Sequence, residues 1–524
     1  MNGCAHTVCR MFLLILWLVI PASAVVAQET RQIEIVRAGS LEGVKVNGIE
    51  VRRLVDDVVF KQGDTYMYCD SALFYESTNS IDAYGVIRIE GPRAQLYGDV
   101  LHYDGNAELA DISGKTVRMT DGKMQLTTTA LQYDLKQDIG VYNNGGKVID
   151  KDNVLTSKRG YYFSNEKMVF FKDDVVLTNP KYVMKSDTLK YHTPTETAYF
   201  YGPCNIQSTG KDSAHIYCEY GWYNTATEKA WFSKNAYIES KENKLQGDSL
   251  LYDKLKGIGR AWNNVSVTDT VQKMIISGTY ALLDEKKGTS FVTGNSMLTK
   301  IFETDSLFLH ADTLYATQDT AKKQKTYFAY HHVRIFKTDL QGQCDSLVYN
   351  TADSTIWFYT APVLWNNNNQ LTAERINLLL SGNKIHTMNL LSEAFITGFE
   401  DSLRFNQVKG RVMVGYFENN KLSTINVTGN GQSIYYLRNS KKQLTGVNQA
   451  ECSDMRIVMK DSKVHKISLI NKPDATLYPV KQADPAMMKL KDFAWYGALQ
   501  PKSKEDIFNW PGVAAVAKKE DLKK

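Results

Sequence analysis

From about Val58 onward the chain alternates apolar and polar residues at period two, and few segments show the 3.6-residue period of an amphipathic helix. One segment type keeps returning, aromatic at first, then polar, then alternating: Phe170 to Leu177, Tyr199 to Ile206, Ala230 to Ile238, Ala261 to Val267 and Ile356 to Leu364. Val, Ile, Thr, Tyr and Phe at alternate positions, punctuated by Gly, Asn and Asp, predict short β-strands, about three per recurrence. With only 11 prolines the chain suits long hydrogen-bonded ladders.

A second pattern lies between these segments: a small residue, Asp, Ser or Thr, Leu, then an alternating apolar or aromatic residue. Copies are Asp70 to Tyr75, Gly98 to Tyr103, Ser186 to Tyr191, Gly247 to Tyr252, Ala311 to Tyr315 and Cys344 to Tyr349. Weaker copies fall at Leu131, Gly160, Gly221, Tyr280 and Ile376. Anchored on the Leu position, the copies stand at 73, 101, 131, 160, 189, 221, 250, 280, 314, 347 and 376. A period near thirty identifies one stacked supersecondary unit. Stacked alternating strands about 4.8 Å apart would enclose a continuous apolar interior and leave two open ends where another sheet could dock.

Length now reads differently. The 524 residues suggest three or four domains, but an array of repeats can be one continuous unit. The spacing widens at 317–326, which predicts a loop or joint, and the pattern stops near Gln482. The expected organisation is a leader over 1–27, repeats over 28–316 and 327–479, and a partly ordered tail over 480–524, with a short helix starting near Pro485. With 43% hydrophobic residues and 7 cysteines, the chain is no disordered tail, collagen-like fibre or small disulfide scaffold.

The leader has a charged start at Arg10, the apolar run Met11 to Ile20 and the small-residue segment Ala22 to Ala27, the pattern of a secretory signal peptide. Cleavage is expected after Ala24 or Ala27, with no cysteine there for a lipid anchor, and the formal charge of +5 would fall by the loss of Arg10. The remaining cysteines, Cys69, Cys204, Cys218, Cys344 and Cys452, are odd in number and show no C-x-x-C. They read as small buried hydrophobes, with one pairing, Cys204 with Cys218, left open.

Chemistry is sparse. The longest basic cluster, Lys322, Lys323 and Lys325, is too short for a nucleic-acid footprint. The chain has no H-E-x-x-H, G-x-S-x-G, phosphate loop or dinucleotide fingerprint, so no catalytic residue, metal ligand or cofactor is expected. His331 and His332, neighbours on a strand, would face opposite ways. The recurring Asp99, Asp187, Asp248, Asp312 and Asp345 read as turn residues ahead of each strand, bonding nearby backbone amides. Calcium binding and paired acids for glycoside hydrolysis are the weaker readings.

A signal peptide followed by G-D-S-L-x-Y-D-like and G-N-V-like segments, best seen at Gly247 to Asp253 and Asn264-Val265, resembles the OstA-like, LptA-type family of lipopolysaccharide-transport proteins, also called organic-solvent-tolerance proteins. The resemblance runs from about Glu34 to Pro479 and implies an all-β fold, an elongated antiparallel β-jellyroll or β-taco. It also implies a periplasmic, non-enzymatic trough that shields the acyl chains of lipopolysaccharide and bridges an inner-membrane extractor to an outer-membrane translocon. End-to-end self-association is a family option. Leu73, Leu101, Leu131, Leu189, Leu250, Leu314 and Leu347 are the candidates to line the trough. The competing expectations are a parallel β-helix that binds or cleaves polysaccharide and a structural envelope solenoid.

Overall fold

The computed structural model describes residues 32–210, 214–319, 324–382, 384–418, 421–460, 463–484 and 486–511. The expected leader, Lys322, Lys323, Pro485 and the charged end lie outside the described residues. By its contacts the chain forms two units, residues 1–117 with 132–137, and residues 118–131 with 138–524. Described residues form 36 strands and two short 3-10 turns, with no α-helix.

In the larger unit the ladders run antiparallel, strand against sequential strand: Met168–Asn179 with Tyr182–His192, then Thr197–Ser208, His215–Asn224, Lys229–Glu239, Asn243–Asp253, Ile258–Asp269 and Met274–Asp284. A parallel β-helix, the competing expectation, needs parallel neighbours that these ladders do not have. Each of these strands is long and bent, so a repeat holds two bent strands where three short ones were expected.

The bend has a repeated construction. Between Met168–Asn179 and Tyr182–His192 the register jumps from Lys172↔Thr188 to Val175↔Ser186, so two residues on one strand oppose one on the other. The two are Asp173 and Asp174, both left-handed at φ 64° and 52°. The same doublet recurs at Lys234-Asn235, Asn263-Asn264, His331-His332, Thr360-Ala361, Ser392-Glu393 and Asn471-Lys472. Asn and Asp tolerate this region better than most residues, which explains their recurrence in the aromatic-to-polar segments.

Opposite Asn263-Asn264 and Ser392-Glu393 the lone residues are Thr279 and Arg411; opposite Asp173-Asp174, Lys234-Asn235 and His331-His332 it is the recurring Asp, at 187, 248 and 345. Asp99, Asp187, Asp248 and Asp345 therefore sit at mid-strand corners, while Asp312 stands just ahead of the strand Thr313–Asp319, as expected. The partners of the recurring Asp vary: Asp248 accepts from Asn264 Nδ2 at 3.0 Å, and Asp312 and Asp345 face His332 Nδ1 and His331 Nδ1 at 2.9 and 3.3 Å. The adjacent histidines are thus divided between two carboxylates, and among the described residues no cluster suits a metal ion.

The corner divides every bent strand into two arms. We call the arms holding Val175, Leu177, Met184 and Ile206 wall A, and those holding Phe171, Leu189, Tyr191 and Phe200 wall B; their inner residues are buried. Beyond residue 305, inner residues of both walls, among them Leu309, Ile335 and Leu364 of wall A and Leu314, Leu347 and Ile376 of wall B, share one core.

The smaller unit is built alike. Ser40–Val46 and Ile49–Gln62 form a hairpin over Asn47-Gly48, both at positive φ, the pairing a tight two-residue turn favours. Ile49–Gln62 then bends at Asp56-Asp57 against Thr65–Tyr75, whose corner residue Asp70 accepts from the Val86 amide at 3.0 Å. One corner on, Asp99 accepts from the Lys115 amide at 2.7 Å, so here the expected amide bond exists.

The C-terminal segment lies on the outer face of wall A in the larger unit. Gln407 donates to Met488 O and accepts from Leu490 N, and Gln370 does the same with Ala494 O and Tyr496 N, at 2.6 to 3.0 Å. Gln341 accepts from Gln500 Nε2 at 2.7 Å, and Arg334 donates to Leu499 O and Asn509 O. Met488 and Leu490 pack on Phe395, Ile434 and Tyr436, and Leu499 on Val363 and Trp365.

Candidate functional site

Three inner rows follow from the corner geometry. Beside the corner, wall A carries small residues: Ser186, Cys204, Cys218, Ala236, Gly247 and Gly278. The arms converge there, and nothing bulkier than Val175 and Val265 of the same row is found among these strands. Three residues after Ser186, Cys218, Gly247 and Gly278 comes the first inner position of wall B, where the predicted leucines belong; on the oppositely running strands it lies four residues before Cys204 and Ala236, at Phe200 and Phe232.

Leu101, Leu131, Leu189, Leu250, Leu314 and Leu347 are all buried at that position, on the floor of the interior. Leu73 is not. In its copy the corner is Asp70, the inner residue is Ala72 at 2% exposure, and Leu73 points to the other face, half-buried. Tyr280 is likewise one place off, with Ala281 inside. The weak anchor Gly160 has its own cause: a Cβ there would stand 2.3 Å from the ring of Tyr142, whose hydroxyl bonds Ser157 Oγ at 2.8 Å.

The second inner row of wall B decides whether the interior is closed. It reads Tyr162, Val169, Tyr191, Ala198, Tyr223 and Ala230 on successive strands, a large ring beside a small residue each time. The tyrosines reach across to wall A. Tyr162 donates to Asp121 Oδ2 at 2.6 Å and Tyr191 to Asp150 Oδ2 at 2.8 Å. Asn153 donates to Tyr191 Oη and Thr225 Oγ1 at 3.0 and 3.2 Å, and Asn179 to Asn153. Tyr182 meets Tyr223 edge to face at 5.0 Å, and at the rim Lys151 pairs with Glu196 and Lys181 with Glu228.

These contacts tune their groups. Burial pushes the Tyr191 hydroxyl up and also raises Asp150. Burial opposes ionisation of Asp121, but bonds from Tyr162 and the amides of Met124 and Lys123 outweigh it and hold that pKa low. The smaller unit has an equivalent, Tyr103 donating to Gln62 Oε1 at 2.6 Å. The signal for this latch was the Tyr two residues after each Leu; sequence reasoning noted it without assigning it a role.

The latch then stops. Tyr252 bonds Glu285 on its own wall at 3.3 Å, and the next inner positions are Gly259, Leu283 at 38% exposure, Ser290 and Ala316. On wall A the facing row changes from His215–Asn224 onward, the strand that bears the last latch tyrosine, Tyr223. Leu155, Leu177, Met184 and Ile206 are no more than 3% exposed. Ile216, Ile238, Leu245, Val267, Ile276 and Leu298, consecutive partners across the next strands, are all half-exposed. Lys325 and Asp269 face each other at 3.9 Å across this stretch. The result is an apolar strip, facing solvent, that follows the latched interior and whose last members, Ile276 and Leu298, pack against the closed core beyond it. Of the predicted lining leucines only Leu250 lies beneath this stretch; its half-exposed apolar surface is that of the six residues of wall A, which period-two reading alone did not single out.

Such a strip presents a continuous row of apolar side chains to solvent. Residues 30–187 match the family described as OstA-like protein, and residues 276–383 the family described as LptA/(LptD N-terminal domain) LPS transport protein. No curated protein matches the chain. Among solved structures, LptH of Pseudomonas aeruginosa, the LptA-homologous periplasmic component of a lipopolysaccharide transport device, is 16% identical. The match covers 21% of this chain and 82% of that one, with a TM-score of 0.20. On the two matched stretches the chain belongs to the OstA-like, LptA-type family of lipopolysaccharide-transport proteins.

Proposed function

We propose that this chain is an exported, non-enzymatic lipopolysaccharide carrier of the periplasm, and that acyl chains lie on the open strip between Ile216 and Leu298. The observation that carries the reading is that wall A's second row becomes half-exposed while staying apolar from His215–Asn224 onward, the strand that bears the last latch tyrosine, Tyr223. Sheltering a chain there is worth about 0.8 kcal/mol for each buried CH₂, and non-directional contact lets it slide between registers. The carrier would pass its load between an inner-membrane extractor and an outer-membrane translocon, with end-to-end contact between copies as one way to span the gap.

The test is a photocrosslinking amino acid placed at Ile276 or Leu298, with exposed Gln246 on the opposite strand face as control. Lipopolysaccharide adducts from the inner positions alone are expected. Equal adducts from all three, or protein purified from periplasm with no bound lipid by mass spectrometry, would count against the reading and leave a structural envelope protein in its place.

A further inference from the structure

Cys69, Cys204, Cys218, Cys344 and Cys452 are all buried thiols in this structure, and all occupy one position of the repeat, the wall A residue beside the corner. Cys69, Cys218, Cys344 and Cys452 each precede a corner residue; Cys204 follows the Gly202-Pro203 corner. The small-residue requirement there accounts for each of them singly. It does not account for two on neighbouring strands.

Cys204 and Cys218 are direct Cα partners of Thr197–Ser208 and His215–Asn224. The other three face Val58, Val333 and Gly431. Opposed residues of an antiparallel pair have Cα atoms about 4.5–5.5 Å apart and side chains on one face, inside the roughly 4.4–6.8 Å that a disulfide spans. The neighbouring Cys218 thiol, together with burial, raises the Cys204 pKa.

We propose that Cys204 and Cys218 form a cross-strand disulfide in the exported protein; the cellular bond rests on the export reading above. Each thiol loses a proton and an electron, the S–S bond forms, and a disulfide-bearing oxidoreductase accepts both electrons and both protons and leaves as its dithiol. Because both sulfurs end fully buried, the exchange belongs to folding, before the walls close. Its place is informative. Two residues outward from the cysteines stands the partner pair Ile206 and Ile216, where the inner row passes from buried to half-exposed. The bond would pin the floor where the open strip begins.

The experiment uses the full chain from cell envelopes, trapped with an alkylating agent, denatured without reductant and mapped by mass spectrometry. The expected result is a linked pair of peptides carrying Cys204 and Cys218, two hydrogens lighter than the thiols, with Cys69, Cys344 and Cys452 alkylated. A parallel arm refolds reduced protein with oxidised glutathione. If neither arm yields the bond, the pairing is overturned. If only the refolded protein carries it, the cellular bond is overturned and the export reading with it, while the geometry stands. Reductant should lower the thermal midpoint of the bonded wild type and leave Cys204→Ser unmoved; an equal fall in both would overturn a stapling role.

Discussion

The Tyr191 hydroxyl donates to the Asp150 carboxylate at 2.8 Å from one wall to the other, with both side chains buried. Asn153 donates to the same hydroxyl, so one phenol joins three strands. Tyr191→Phe removes the donor and leaves a buried carboxylate short of a partner, which costs about 1–3 kcal/mol. Urea unfolding should show the lower midpoint, and Tyr199→Phe, whose ring lies on the outer face, should not.

At the rim, the hydrogen bond from Lys181 is the main influence on Glu228, ahead of burial, which opposes it, and of the Lys254 charge; the net result is a lowered pKa. A carboxylate whose folded pKa lies below its unfolded value stabilises the fold above the unfolded value, about 4.3, and loses that contribution as pH falls through the folded one. Glu228→Gln should therefore cost about 1 kcal/mol at pH 7, Lys181 being largely solvated, and progressively less as pH falls below the unfolded value. A gap between the two proteins that persists in acid would rule out the charge as its source.

Leu189 and Leu73 carry the same sequence label and opposite positions. Leu189→Ala empties a floor site buried to 1% and should cost about 2–5 kcal/mol; Leu73→Ala, on the half-buried other face, should cost less than about 1.5. Similar losses in thermal denaturation would mean that the register at Asp70 is wrong.

That pair shows how far sequence alone reached. Period-two alternation and the thirty-residue return gave the β class, the repeat and six of seven buried leucines. Leu73 was misplaced because Leu was taken as the anchor, whereas the corner is set by the small residue and Asp, three and two places before the inner residue. The bends themselves were hidden because a left-handed doublet such as Asp173-Asp174 looks, in one dimension, like a turn between two strands. The latch and the open strip were out of reach for another reason: Tyr162 and Asp121, or Ile276 and Leu283, are related only by how the two walls face each other.

The C-terminal segment covers Trp365, Phe395 and Tyr436, which are buried to 5% exposure or less, and gives Arg334 its two carbonyl acceptors. A chain ending at Pro479 would bare these rings and forgo the burial of Met488, Leu490, Leu499 and Ile507, a loss on the order of 5 kcal/mol. A lower thermal midpoint with stronger binding of an apolar dye is expected. Gln407→Ala tests the clamp alone and should cost about 1–3 kcal/mol, since it orphans Met488 O and Leu490 N.

Ile276 and Leu177 occupy the same inner row of wall A, the first half-exposed and the second fully buried. A carboxylate at position 276 stays within reach of water, so Ile276→Asp should fold; at 177 it would be an unpaired buried charge, and Leu177→Asp should not. In the open strip the same charge meets the acyl chain. Displacing it from two or three CH₂ contacts at about 0.8 kcal/mol each weakens binding by about tenfold or more. Crosslinking of lipopolysaccharide from a probe at Leu298, the direct partner of residue 276, should fall accordingly in the Ile276→Asp chain while its melting curve stays close to wild type. Undiminished adducts in a folded Ile276→Asp protein would mean that the acyl chains lie elsewhere, because no other feature of the strip removes that charge from their path.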